Sequence, residues 1–129
     1  MSKILDHTTV LYTALNVIKN NATTVIFCNQ QPTNYADLAT TGRAIITRTG
    51  LTSSNFTGPA DDSGNGNRAT LTVNPVLGSI PSIAGTVTYV VLTNGSNTIY
   101  AGTSVTSQAV LTSQTWDSPA FKIAIADPA

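Results

Sequence analysis

Between Thr57 and Pro75 the chain reads TGPADDSGNGNRATLTVNP, and four residues there place side-chain oxygens at every second position: Asp61, Ser63, Asn65 and Asn67. That spacing, with Gly66 where a sharp bend would fall, is half of a calcium-binding loop. The other half is an acidic residue closing the twelve-residue loop, often a bidentate Glu. Counted from Asp61 that place belongs to Thr72, inside the alternating run ATLTV. Strand-like flanks also replace the helices that such a loop joins, and no helix start follows the glycines to cradle a phosphate. The segment therefore reads as a solvated hairpin tip. No metal or cofactor is expected, and Asp61, Ser63 and Asn65 are the oxygens the tip would offer an ion.

Catalytic sets fare no better. His7 is the only histidine and Cys28 the only cysteine, so a clustered His/Cys metal site and an internal disulfide are both excluded. Cys28 lies in the apolar run TTVIFCN, where a thiol is expected to be buried and inert. No Gly-x-Ser-x-Gly elbow is present, and Asp6, Asp37, Asp117 and Asp127 sit among turn and cap residues rather than as a carboxylate pair. The chain is read as no enzyme, with no catalytic residue. What remains are amphipathic aromatics suited to contact surfaces. Trp116, beside Asp117 and close to Pro119, leads them as a half-exposed anchor or as a Trp closing one end of the core, and Tyr100 and Tyr35 complete the interface candidates.

Composition points the same way. Of 129 residues only 9% are charged, with six basic and six acidic side chains and no Glu, against a usual charged share of about 25%. A balanced charge gives no electrostatic footprint for nucleic acid or an anionic membrane. From Ala69 to Trp116 there is no Lys, Arg, Asp or Glu at all. Monomers commonly keep apart through surface charge and guard strand edges with Lys. Here the edges must be closed within the fold or covered by partners, and interface cores are depleted in charge. No apolar run approaches the ~18 residues of a membrane span, and MSKILDHTT lacks the apolar stretch of a secretory signal; synthesis in a cytoplasm is expected.

The elements that would position these residues are mostly strands. One helix is predicted over about 8–20, from apolar residues at Val10, Leu11, Ala14, Leu15, Val17 and Ile18, with Asp6 or Thr8 as cap and Lys19 near its end. Such a stripe most simply lies on a sheet. A β-rich body follows over about 23–127, with strands predicted at 23–29, 43–50, 53–59, 67–75, 107–113 and 121–127. A hairpin over 86–104 turns at NGSN, Asn-Gly being the strongest short turn signal. A single turn of helix is expected after QQPTNYADL. The expected fold is mainly β: one domain over 1–129, an antiparallel β-sandwich or small barrel with one short N-terminal helix.

The order of these features resembles small β-rich structural proteins of tailed bacteriophage virions. The resemblance rests on Val25, Cys28, Pro32, Tyr35 and Ala36 in VIFCNQQPTNYA, on the late hairpin GTVTYVVLTNGSNTIYAG, and on the closing PAFKIAIADP, and spans about residues 20–128. Tyr89 stands where a histidine is common in that family, and the Asp-rich insertion is long. The resemblance implies a capsid decoration, or cement, protein that ties neighbouring major capsid subunits together. A tail or head–tail accessory protein, or a tail-fibre or adhesin-type domain recognising a host receptor or glycan, is the alternative. It further implies location in the virion, contacts with major capsid protein or other virion subunits, and a homo-oligomer, trimer or dimer.

Overall fold

The computed structural model describes residues 7–62 and 68–126. Strands dominate, in two antiparallel sheets. The first has the order β2-β1-β5-β6, from Ala44–Arg48, Thr24–Cys28, Gly85–Thr93 and Ile99–Val110; the second has the order β3-β4-β7, from Phe56–Asp62, Arg68–Val73 and Phe121–Ala126. They share one core and do not close into a barrel, so of the two predicted architectures the sandwich is the one formed.

The period-2 pattern sets the faces. In β4, Ala69, Leu71 and Val73 are all buried in the common core, where β7 adds Phe121 and Ile123. In β1 the alternation splits two ways: Val25 and Phe27 face the second sheet, whereas Ile26 and Cys28 join Leu38 and Val91 in a smaller cluster on the opposite face. That is why TVIFC is buried throughout, with only Thr24 polar. Segment 29–43, with its short 3-10 turn Ala36–Ala39, folds over this outer face.

The helix begins as a π-turn, His7–Leu11, and continues as α1, Tyr12–Asn21; Asp6 lies outside the described residues. Its buried stripe is Leu11, Leu15, Ile18 and Ala22, the four-three-four spacing of one helical face, packed into the core beside β3 and β4. The predicted stripe was wider: Val10 and Val17 are 45% and 50% exposed.

Two strand predictions change in extent. The residues at 53–55 form a 3-10 turn, and β3 starts at Phe56 and runs on through the cis Gly58–Pro59 bond, with a register shift between Thr57 and Ala60. The strand predicted over 107–113 is the end of β6, one strand from Ile99 to Val110. The 94–97 turn forms as expected. Asn94 Oδ1 accepts from the N–H groups of Ser96, Asn97 and Thr98 at 2.9, 2.9 and 3.0 Å, and Gly95 supplies a φ of +78°.

Candidate functional site

Little charge guards the sandwich edges: β7 carries Lys122, β3 ends at Asp61 and Asp62 and β2 ends at Arg48, whereas β6 has none. β6, an edge strand of twelve residues with neither charge nor proline, carries two extra residues where its register against β5 shifts from Val87↔Gln108 to Tyr89↔Ser104. Such a bulge bends the strand away from flat pairing. The edge strand β3 has its own register shift at Gly58–Pro59, where proline removes a donor, and the edge strand β2 is only five residues long. The sequence offered closure or partner cover as the alternatives; local irregularity is a third device, and it moves attention from the edges to the loops.

At one end of the sandwich two connections are locked together. Ser79 and Trp116 exchange backbone hydrogen bonds, Ser79 N–H to Trp116 O at 3.1 Å and Trp116 N–H to Ser79 O at 2.7 Å. Beside them, Ser118 N–H donates to Val76 O at 2.9 Å, and Val76 N–H donates to Ser118 Oγ at 3.0 Å. Asp117 Oδ1 accepts from Gly78 N–H at 2.6 Å, and Arg48 Nη1 donates to Leu77 O at 2.6 Å and Ser79 Oγ at 3.0 Å. These seven hydrogen bonds leave the loops little freedom. Out of this clamp project Leu77, 62% exposed, and Ile80, 67% exposed, with Leu111 at 52% in the connection that leads to Trp116. Scattered apolar residues on a surface mean little, but large ones on a rigid platform are the makings of an interface centre.

Trp116 itself is half-buried. It meets the Phe27 ring edge to face at 4.9 Å and 84°, so it packs on the core, as a Trp closing one end of it would. It also lines two adjoining hollows. One, of about 60 Å³, lies between β6 and the start of β7, with Phe27, Val105 and Phe121 among its walls. The other, of about 190 Å³, is polar, walled by Gln108, Gln114 and Thr115 together with residues 109–111.

The other interface candidates lie apart. Tyr100, on β6, packs against the main core, whereas Tyr35 covers the small cluster on the far face of the first sheet. The three aromatics therefore do not build one platform. Leu77, Ile80 and Leu111 were not singled out in the sequence; their signal was an apolar residue between Pro or Gly in VNPVLGSIPS and after a strand end, which reads equally well as core.

Asp61 lies in β3 opposite Ala69, and its side chain is exposed. Ser63, Asn65 and Asn67 lie outside the described residues. Among the described residues no group of three or more His, Cys, Asp or Glu comes together. Cys28 is fully buried and burial pushes its thiol up from 9.0 to about 11, so it is no ready nucleophile at neutral pH. Asp37 accepts from Thr33 N–H and from Thr40 Oγ1, both at 3.0 Å, and pairs with Arg43 at 3.3 Å; the Thr33 bond foremost holds its carboxyl below the usual range. This pair fastens segment 32–43 over the outer cluster that holds Cys28. Among the described residues no helix is long and apolar enough to cross a membrane. Compared with protein-family models, with curated proteins and with solved structures, the chain matches none.

Proposed function

We propose that this chain is a structural protein of a bacteriophage virion, foremost a capsid decoration (cement) protein that binds major capsid subunits as a small homo-oligomer and performs no catalysis. The observation that carries the reading is the clamped apolar end: Leu77 and Ile80 stand roughly two-thirds exposed on loops fixed by hydrogen bonds at both flanks. Covering each would contribute about 1–2 kcal/mol, the exposed share of a full Leu or Ile burial. That is modest for one copy and durable when a symmetric shell repeats it. The two ions at the patch, Arg48 and Asp117, are already bonded to the loop's own backbone, and interface cores are depleted in free charge.

The test is association of the intact protein, alone by sedimentation velocity and with expanded capsids by co-sedimentation. Self-association and capsid binding are expected at micromolar concentration and to change little with salt. Leu77→Lys with Ile80→Lys is expected to abolish both while leaving the unfolding midpoint in place. A parent protein that stays monomeric and ignores capsids refutes the reading. A head–tail or tail accessory role is served by the same surface, and binding to tail assemblies in place of capsids would select it. The polar hollow beside Trp116 favours a second reading, a domain that recognises a host glycan.

A further inference from the structure

The geometry points to a specific ligand for the hollow beside Trp116: a neutral N-acetylated hexose, its ring in the polar hollow and its acetamido methyl in the adjoining apolar slot. This rests on the glycan-recognising reading and is independent of whether the chain assembles into a shell.

Four observations carry it. First, the two spaces differ in chemistry and share walls. Gln108 and Trp116 line both, so a ligand crossing the boundary passes an amide and an indole. The polar space, about 190 Å³, is about three times the apolar one, about 60 Å³, so the larger part of a ligand falls to the polar hollow and a small group to the slot.

Second, the polar walls are unspent. Among the described residues Gln108, Gln114 and Thr115 make no side-chain hydrogen bond within the protein, whereas the Asn94 amide is tied into its own turn and the Asn74 amide to Thr57. Amides and a hydroxyl both donate and accept, which suits sugar hydroxyls and an acetamido group alike.

Third, no charged side chain lines either space, so a carboxylate, phosphate or ammonium on the ligand would find no opposite charge to pair with there. Asp117, next in sequence to Trp116, is turned to Gly78 N–H at 2.6 Å. Fourth, the site is held in place before binding. The Ser79 bridge fixes the Trp116 backbone and Phe27 fixes its ring, which lowers the ordering cost of a weak ligand.

The experiment titrates the intact chain with N-acetylglucosamine and N-acetylgalactosamine against glucose and galactose, followed by saturation-transfer NMR and by the emission of Trp116, the only tryptophan. The acetamido sugars are expected to bind at least about fourfold tighter, the worth of one buried methyl, with the strongest saturation on the acetyl methyl protons. Val105→Phe, which fills the slot, is expected to erase the preference while the parent hexoses still bind. Should that variant fold poorly, Gln108→Ala removes an exposed side chain with no internal bond and is expected to reduce the preference at least twofold. Equal affinity for acetylated and plain hexoses, or a preference for anionic sugars, overturns the inference and leaves glycan recognition standing. No binding to any sugar in the panel overturns both.

Discussion

Ser118→Ala removes one oxygen atom and tests how the apolar end is held. Ser118 is 3% exposed and Val76, whose N–H it accepts at 3.0 Å, is 7% exposed. The substitution strands that N–H where water does not reach, and a buried donor left unmade costs about 1–3 kcal/mol. The reciprocal bond from Ser118 N–H to Val76 O survives, so the loss is confined to one donor. At about 2.1 cal/mol/K per residue, a chain of 129 residues unfolds with an entropy of about 0.27 kcal/mol/K, which converts the cost to a midpoint fall of about 4–11 °C. Trp116 reports the transition by itself, since it is the only tryptophan and its ring packs against Phe27. A red shift of its emission in the folded variant is expected too, as the connection bearing it loosens. Ser113→Ala, at an exposed position, is the control and should stay within about 0.5 kcal/mol. If Ser118→Ala also stays within about 0.5 kcal/mol, the clamp does not depend on this bond and the rigidity assigned to Leu77 and Ile80 is refuted.

Two further perturbations probe the outer face of the first sheet. A Cβ on Gly102 would lie 2.7 Å from Tyr89 Cε1 and 3.0 Å from Val91 Cγ1, so Gly102→Ala is expected to cost about 1–3 kcal/mol in urea unfolding. Adding Tyr89→Ala should recover part of that loss, and a purely additive double variant would refute the contact. Cys28 is expected to resist thiol reagents in the native protein at pH 8 and to react on unfolding; fast stoichiometric labelling of folded protein would contradict its burial. Its folded-state pKa, about 11, is raised above the ordinary 9.0, so the protein binds that proton more tightly than the unfolded chain does. The stability contribution is whole below pH 9 and is lost as pH rises from about 9 to 11. A Cys28→Ala variant with the same alkaline slope in that window would show that other groups set it.

The strands were legible because their signals are local. Alternation in ATLTV placed Ala69, Leu71 and Val73 inward without any knowledge of the partner sheet. Asn-Gly placed the turn after β5 because Asn94 can bond three following N–H groups and Gly95 tolerates positive φ. The misjudged boundaries have tertiary causes. Gly-Pro at 58–59 is a stop signal in isolation, yet Ala60 and Asp61 resume pairing with Thr70 and Ala69 beyond it. Ser107 to Val110 looked like a separate strand because a bulge, invisible in sequence, joins them to the first arm of β6. Trp116 stood out as the lone indole, but nothing in WDSP says that Ser79, dozens of residues earlier, would be its backbone partner. That pairing, and with it the exposure of Leu77 and Ile80, belongs to the folded chain alone.

Five charged side chains are used in a way that links fold to surface. Lys19 Nζ donates to Gly58 O at 2.7 Å and ties the helix to the irregular point of β3. Asp37 and Arg43 fasten the segment over the small cluster, and Arg48 and Asp117 fasten the loop that carries Leu77. Each of these ties secures a place where regular sheet hydrogen bonding fails, so each is held close to the protein. An ion bonded to a backbone carbonyl or amide repels a neighbouring molecule less than one projecting freely, and the exposed positions of β6 include Ser104, Thr106, Ser107 and Gln108. The low charge of the sequence is therefore more than a deficit: much of the charge present reinforces irregular segments, while bulges, a proline and short length guard the edges alongside Asp61 of β3 and Lys122 of β7. A protein organised in this way has little electrostatic barrier to close approach by a neutral partner. Its clamped end, where Leu77 and Ile80 project beside the hollow of Trp116, is where that approach has the most apolar surface to cover.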